Sequence, residues 1–199
     1  EDVFSTYLYD GTGTTNNIVN GVDLTEGGLV WIKTRDDVED HNLVDSERGS
    51  NKGLESNTTD AETGSAGFST FNSNGFTLTG GFGKTNSTSS TYASFTFRKA
   101  EKFFDVQTYT GNSTAGRTVA HNLGVDPSMI IIKQTTGTRR WYVWHESFAL
   151  DGYLFLNQTS AIGVYGPFAY LTAAPTSTTI TLASDATVNE ASNTFVAYL

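Results

Sequence analysis

The sequence predicts an all-β protein made of two tandem β-sandwich modules, jelly-roll-like and related by internal duplication. Short apolar or alternating runs bounded by Gly, Asn and Ser recur about every ten to fifteen residues, which is typical of sandwiches and barrels. Thr, Ser, Asn and Gly make up 83 of the 199 residues, and this composition favours turns and β-branched strand positions over helix. The third observation is an internal repeat.

The repeat has an offset of 100 residues. The run GLVWIK, which ends at Lys33, returns as SMIIIK, which ends at Lys133. Without any gap, ten residues between positions 9 and 61 are identical to the residues 100 positions further on, where random pairing would give roughly three. Later matches drift by three or four residues, as expected for a short insertion in a loop. The predicted modules are residues 1–104 and 105–199.

The strands are predicted from these short runs. Those of the first module are Phe4–Tyr9, Leu29–Thr34, Asn42–Asp45, Phe68–Phe71, Phe76–Thr79 and Tyr92–Arg98. Those of the second are Val106–Tyr109, Met129–Gln134, Trp141–His145, Tyr153–Asn157, Thr179–Leu182 and Thr194–Leu199. The second strand of each module is apolar on both faces, which predicts a central strand covered on both sides, with its lysine emerging into solvent. No segment shows the spacing of an amphipathic helix.

Composition and motifs narrow the function. A net charge of -9 argues against a nucleic-acid partner, because phosphate binding needs a surplus of Lys and Arg. There is no apolar run of about 20 residues, so we expect no membrane insertion. The sequence contains no zinc-protease, nucleophile-elbow, P-loop or dinucleotide motif, and its three histidines, His41, His121 and His145, are widely spaced. We therefore expect no enzymatic activity, no catalytic residues and no cofactor.

An acidic segment is the candidate metal site. Asp36, Asp37, Glu39 and Asp40 lie within five residues, and hard cations such as Ca²⁺ bind clustered carboxylate oxygens. The spacing differs from that of an EF-hand loop, so a solvated loop paired with its own basic neighbours is the competing interpretation.

An aromatic segment is the candidate sugar site. Arg140, Trp141, Tyr142 and Trp144 form the densest aromatic cluster of the chain, and aromatic faces beside polar groups bind sugar rings. Alternation along a strand puts Trp141 on one face and Tyr142 with Trp144 on the other. One face must belong to the core. Packing in the core or against a neighbouring subunit is therefore the alternative to sugar binding for these rings.

The longest run of informative residues joins the two modules. It reads FRKAEKFFDVQTYTGNSTAGRTVAHNLG, and it accompanies YLYDGTGTTNNI, HNLVDSERGSNK, WYVWHES and a closing VAYL. In this combination the chain resembles a repeat domain of structural proteins in tailed bacteriophages, notably those of marine and cyanobacterial hosts. The resemblance covers nearly the whole chain.

The resemblance implies a component of the virion surface, in a fibre, a tail or a capsid decoration, with no assigned catalysis. The implied partners are other virion proteins and further copies of the same chain. The alternative function is a host-attachment adhesin that binds a surface glycan. The resemblance implies no particular binding residues.

Overall fold

The computed structural model describes residues 2–164, 166 and 169–199, and within them the protein is built of β-strands apart from one four-residue helix. The predicted all-β class is therefore confirmed. The chain forms two compact units, Glu1–Ser56 with Glu62–Ala100, and Asn57–Ala61 with Glu101–Leu199. No helix in the described ranges is long and apolar enough to span a membrane.

The first unit contains two antiparallel sheets. Its strands are β1 (Phe4–Asp10), β2 (Asn16–Val19), β3 (Gly28–Thr34), β4 (Asn42–Asp45), β5 (Phe68–Asn72), β6 (Gly75–Leu78) and β7 (Thr91–Arg98). One sheet has the order β1-β7-β3-β4 and the other β2-β6-β5. The unit therefore has two sheets, one of four strands with up to eight residues each and one of three strands with four or five residues each.

The second unit also contains two antiparallel sheets. Its strands are β8 (Val106–Thr110), β9 (Arg117–Ala120), β10 (Met129–Gln134), β11 (Tyr142–His145), β12 (Gly152–Phe155), β13 (Gly163–Val164), β14 (Leu171–Ala173), β15 (Thr179–Leu182) and β16 (Thr194–Tyr198), with the helix α1 (Ala186–Asn189) before the last. The larger sheet has the order β13-β12-β11-β10-β16-β8 and the smaller β14-β15-β9. Starting from β8, the strand order repeats that of the first unit.

Each core lies between the two sheets of its unit. In the first core, Val30 and Ile32 of β3 pack in one cluster with Phe76 and Leu78 of β6, and all four side chains are fully buried. The second core is built from these buried side chains: Tyr109, Val119, Ile130, Ile132, Tyr142, Trp144, Leu171, Ile180, Leu182, Val188, Phe195, Ala197 and Leu199. Burial of one face of both sheets is the main stabilising term in such a fold.

All twelve predicted strand segments contain a strand, but the sequence did not predict β2, β9, β13, β14 or α1. β2 and β9 are four-residue edge strands, and each buries a single side chain, Ile18 in β2 and Val119 in β9. One buried residue among polar neighbours leaves no alternation to detect. α1 is one turn long, capped by the Asp185 carboxylate, which accepts from Thr187 N–H.

The repeated lysines were wrongly predicted to emerge into solvent. Lys133 is fully buried, and its ammonium donates to the carbonyls of Gln134 (2.6 Å) and Gly137 (3.0 Å). The half-buried Lys33 donates in the same way to Thr34 (2.7 Å) and Asp37 (3.0 Å). Each lysine thus donates to the carbonyl at the end of its own strand and to one in the loop that follows, and so ties that loop to the strand.

The two strands that carry these lysines are central, as predicted, because β3 lies between β7 and β4, and β10 between β16 and β11. Cover on both faces was a wrong prediction. Trp31 and Met129 lie on the face opposite the core, where the predicted cover is missing: Trp31 is only half-buried, and Met129 is 43 % exposed. An apolar pattern on both faces therefore marked a central strand here, but it did not mark a strand that is buried on both sides.

A buried asparagine organises the loops at one end of each unit. The Asn86 amide donates to Thr14 (2.5 Å) and Thr79 (2.9 Å) carbonyls, and its oxygen accepts from Thr12 N–H at 2.9 Å. In the second unit, the matching amide is that of Asn189. It donates to the carbonyls of Thr114 (3.0 Å) and Ala183 (2.8 Å), and it accepts from Asn112 N–H (2.9 Å). Both asparagines are 0 % exposed, so each satisfies backbone groups that water cannot reach.

A buried ion-pair network follows β4 in the first unit. The Arg48 side chain is 3 % exposed and contacts the carboxylates of Asp45 (2.6 Å) and Glu62 (3.1 Å). Lys52 pairs with the same Glu62 carboxylate at 2.7 Å, but it is 49 % exposed. Arg48 also donates to the Leu43 carbonyl at 2.9 Å. The guanidinium therefore holds the loop after β4 against the strand.

Candidate functional site

The predicted sugar-binding aromatics lie inside the second unit. Trp141 and Tyr142 are 0 % exposed and Trp144 is 7 % exposed. Tyr142 and Trp144 belong to the core cluster, and the Trp141 backbone N–H donates to the Asn157 side chain at 3.1 Å. Alternation along this segment required one face to be core and left the other open to solvent or to a subunit contact, and the structure buries both. A sugar ring therefore has no open face of these three side chains on which to stack.

Arg140 is the exposed member of that segment. Its guanidinium lies 5.0 Å from the centre of the Phe155 ring, in cation–π geometry. Half-buried Tyr153 and Tyr170 continue the cluster, with ring centres 5.1 Å apart for Tyr153 and Phe155 and 5.0 Å apart for Tyr153 and Tyr170. The sequence could not indicate this cluster, because Tyr170 is 30 residues from Arg140 and follows a different strand.

The Tyr142 ring packs against this cluster. Its ring centre is 4.7 Å from that of Tyr170. Burial, and secondarily the neighbouring Tyr170, raises the pKa of Tyr142 far above its ordinary value. Within the described residues this buried hydroxyl has no hydrogen-bond partner. The hydroxyl therefore stays protonated at any physiological pH.

The acidic segment distributes its carboxylates among separate partners. Asp36 accepts from the Thr91 N–H (2.8 Å) and the Thr34 hydroxyl (3.0 Å), and these bonds, the Thr91 N–H foremost, lower the pKa of Asp36. Asp37 accepts from the N–H of Val38 (2.7 Å). Among the residues the structure describes, no group of three or more His, Asp or Glu side chains could hold a metal ion.

The remaining two members of this segment, Glu39 and Asp40, are half-buried. The Asp40 carboxylate lies 3.6 Å from the Lys84 ammonium, which also pairs with Glu55. The carboxylates of Asp36, Asp37 and Asp40 thus have basic, hydroxyl or backbone partners, which is the arrangement expected of a self-paired loop.

The three histidines have separate partners and do not converge on one site. His41 Nδ1 accepts from the indole N–H of Trp31 at 2.8 Å. Partial burial, and then the positive charge of Lys33, lowers the pKa of His41. His121 is buried, with Nε2 3.0 Å from the Thr176 carbonyl. His145 Nδ1 accepts from the N–H of Ser147 at 3.1 Å.

An apolar face of the first unit is the most exposed candidate for binding. We use the term outer face for the side of the sheet β1-β7-β3-β4 that points away from the core. Cross-strand pairing puts Phe4 beside Phe97 and Trp31 beside Phe95 on this side. Three of its side chains are well exposed: Phe4 (42 %), Leu8 (60 %) and Phe95 (39 %). Trp31 and Phe97 are half-buried between them.

The second unit differs at the same place. The side of β8 and β16 that points away from its core carries Val106, Val196 and Tyr198, which are 0 %, 0 % and 4 % exposed. Phe104 stacks against Tyr198 with ring centres 6.3 Å apart. The apolar side chains at this place are therefore exposed in the first unit and buried in the second. The sequence did not single out the outer face, because its aromatic residues come from three strands that are far apart along the chain.

Comparison with known proteins gave one match. A family model described as a domain of unknown function, DUF7483, matches residues 1–199. No curated protein matches the chain, and no solved structure matches it. Because the family model spans the full length of the sequence, the chain belongs to the DUF7483 family.

Proposed function

We propose that the chain is a structural module of a bacteriophage particle, on the exposed surface of a fibre, a tail or a capsid, where it makes assembly contacts. The sequence resemblance to phage structural proteins supports this proposal. The outer face supports it structurally, because Phe4, Leu8 and Phe95 expose apolar surface on one side of a sheet whose other side packs into the core. Exposed patches of this kind mark interaction surfaces in stable proteins.

The loop architecture also suits such a role. The buried amides of Asn86 and Asn189 bind loop backbone, and Lys33 and Lys133 bind the loops after the central strands. Loops held by buried hydrogen bonds open rarely and resist proteolysis. A particle that persists outside its host needs such resistance.

The proposal is tested on purified particles of the phage that encodes the chain. We expect mass spectrometry to find the chain at a fixed copy number per particle, and antibodies against it to label the outside of intact particles. A Leu8→Lys phage should incorporate less of the chain, whereas a Val38→Lys phage should not, because Val38 is 97 % exposed and lies in a loop outside the outer face. Absence of the chain from purified particles would contradict the proposal.

Glycan binding is the second candidate, and the cluster of Arg140, Tyr153, Phe155 and Tyr170 favours it. It combines the half-buried rings of Tyr153 and Tyr170 and the buried ring of Phe155 with an exposed cation, and sugar sites use aromatic rings beside polar groups. The site would thus keep Arg140 from the predicted set and replace the three buried aromatics. A glycan array should show binding that Arg140→Ala weakens and Arg139→Ala does not. An array without reproducible binding would remove this candidate.

A further inference from the structure

The edge of the first unit's larger sheet exposes an unpaired row of backbone groups. β1 pairs with β7 on one side only. The Val3 carbonyl accepts from Arg98 N–H (2.8 Å), and Gly11 N–H donates to the Ser90 carbonyl (2.8 Å). Odd-numbered residues of this strand therefore direct their N–H and C=O groups towards β7, and the even-numbered residues direct theirs outwards, because antiparallel bonding alternates.

Three residues form this outward row. Phe4, Thr6 and Leu8 have no hydrogen bond from these groups within the described part of the chain. At the next position, the Asp10 carbonyl already accepts from the Asn16 side chain at 3.0 Å. The open stretch of the edge thus runs from Phe4 to Leu8.

The open edge lacks the features by which proteins usually block pairing. The sequence of β1, FSTYLYD, has no Pro, Gly, Lys or Arg, and its one charge is at the last residue. Natural edge strands commonly carry Pro, a bulge or an inward charge to prevent association with another sheet. β1 pairs with β7 in continuous register over all seven residues, so no bulge bends it away.

The area available at this edge suits a weak contact between two copies. The large side chains on β1, Phe4, Tyr7 and Leu8, are 42, 39 and 60 % exposed. At about 200 Å² for each large side chain, they offer roughly 280 Å² per copy, or about 560 Å² for two copies. Adding Thr6 and the two backbone edges brings the buried area to about 800 Å², in the range of weak, concentration-dependent association.

We propose that two copies of the chain associate through antiparallel pairing of their β1 strands, with Thr6 opposite Thr6 of the second copy. In this register Phe4 of each copy lies opposite Leu8 of the other. The three residue pairs, Thr6 with Thr6 and Phe4 with Leu8 on both sides, each form two backbone hydrogen bonds, six in total. The two four-stranded sheets then form one continuous sheet of eight strands. Apolar cross-strand pairs such as Phe4 with Leu8 also stabilise the contact.

The register follows from the open groups. A shift by one residue would set outward-directed groups against inward-directed ones and reverse the faces. A shift by two residues would set Phe4 opposite Asp10, whose carbonyl is already occupied by Asn16, or, in the other direction, Leu8 opposite Asp2, which bridges to Val22. Only pairing centred on Thr6 matches every open residue with another open residue.

Charge opposes this association. Each copy has a net charge of -9, so two copies repel each other at low ionic strength. Salt screens that repulsion but leaves backbone hydrogen bonds and apolar contacts in place. The dimer should therefore be tighter in 0.5 M NaCl than in 0.05 M NaCl, opposite to the behaviour of a contact held by ion pairs.

Disulfide trapping tests the register. The chain has no cysteine, so Thr6→Cys introduces a single thiol. Directly opposed residues of a hydrogen-bonded antiparallel pair have Cα atoms about 5.5 Å apart, within the range that a disulfide spans. We expect rapid oxidation of Thr6→Cys to a covalent dimer. The control is Thr118→Cys, on the exposed edge strand β9 of the second unit, and it should oxidise slowly.

Analytical ultracentrifugation of the wild-type chain, which has no cysteine, measures whether it dimerises through this edge. We expect a concentration-dependent dimer that Leu8→Lys weakens about tenfold or more, through charge placed in the contact, and that Val38→Lys leaves unchanged. A chain that stays monomeric at high concentration and high salt would overturn the inference. So would a dimer insensitive to Leu8→Lys, or equal oxidation rates of the two cysteine variants. These outcomes concern the purified chain and are independent of its presence in a virion.

Discussion

Replacing the buried Asn189 amide should destabilise the second unit strongly. Asn189→Asp keeps the size of the side chain and the oxygen that accepts from Asn112 N–H, but it removes both donations, to Thr114 (3.0 Å) and Ala183 (2.8 Å). Two carbonyls then lose their donor in a site that is 0 % exposed. At about 1–3 kcal/mol for each unsatisfied buried group, the free energy of unfolding should fall by about 3 kcal/mol.

The matched control is Asn112→Asp in the same loop. Asn112 is exposed, and its side-chain oxygen accepts from Thr114 N–H at 2.9 Å, a bond that a carboxylate keeps. Both variants add one negative charge, so their difference isolates the lost donations. Because burial disfavours an ionised carboxyl, the destabilisation by Asn189→Asp should be smaller at pH 4 than at pH 7.

Urea titration and scanning calorimetry measure these effects. For a unit of this size, a loss of about 3 kcal/mol corresponds to a fall in Tm of about 12–24 °C. Asn112→Asp should remain within about 0.5 kcal/mol of the wild type. If Asn189→Asp were as stable as Asn112→Asp at pH 7, the claim that the buried amide holds this end of the unit would be refuted.

Three further predictions concern other groups. Because folding lowers the pKa of His41, its contribution to stability is fully present above about pH 6.5 and is lost as the pH falls. The NMR signal of the Trp31 indole N–H, which donates to His41, should follow this titration in the wild type but not in His41→Gln. Arg48→Met should cost about 3–5 kcal/mol in urea titrations by leaving a buried carboxylate without its partner, whereas Lys52→Met should cost less than about 1 kcal/mol; equal losses would contradict the network. Gly111→Ala should reduce Tm by several degrees, since its Cβ would lie 2.2 Å from a backbone carbonyl oxygen, and an unchanged Tm would show that the loop can move.

The sequence predicted the strands well where alternation or apolar runs were strong. Asn42–Asp45 and Met129–Gln134 were predicted at their observed bounds. The same patterns could not show what covers a strand. Trp31 and Trp141 both belong to apolar segments, yet Trp31 is half-buried and Trp141 is fully buried. Exposure depends on contacts between distant segments, which periodicity does not encode.

The candidate sites show the same limit. The aromatic segment was recognised by composition, but its rings are core, and the exposed cation Arg140 instead contacts Phe155. The outer face was not predicted, because Phe4, Trp31 and Phe95 become neighbours only through the pairing of β1, β7 and β3. The open edge of β1 likewise appears only when the strand order is known. Local sequence patterns predict elements, and long-range pairing decides which surfaces remain available.

The enclosed lysines make the loops after the central strands directly observable in solution. An amine-reactive reagent needs a neutral, accessible amine, and the Lys133 ammonium is surrounded by protein and bound by two carbonyls. Exposed Lys52 should be acylated rapidly. Lys133 can react only in molecules in which the loop after β10 has opened and its two hydrogen bonds are broken. The rate of acylation at Lys133, followed by the mass of its peptide, therefore measures how often the loop after β10 opens locally.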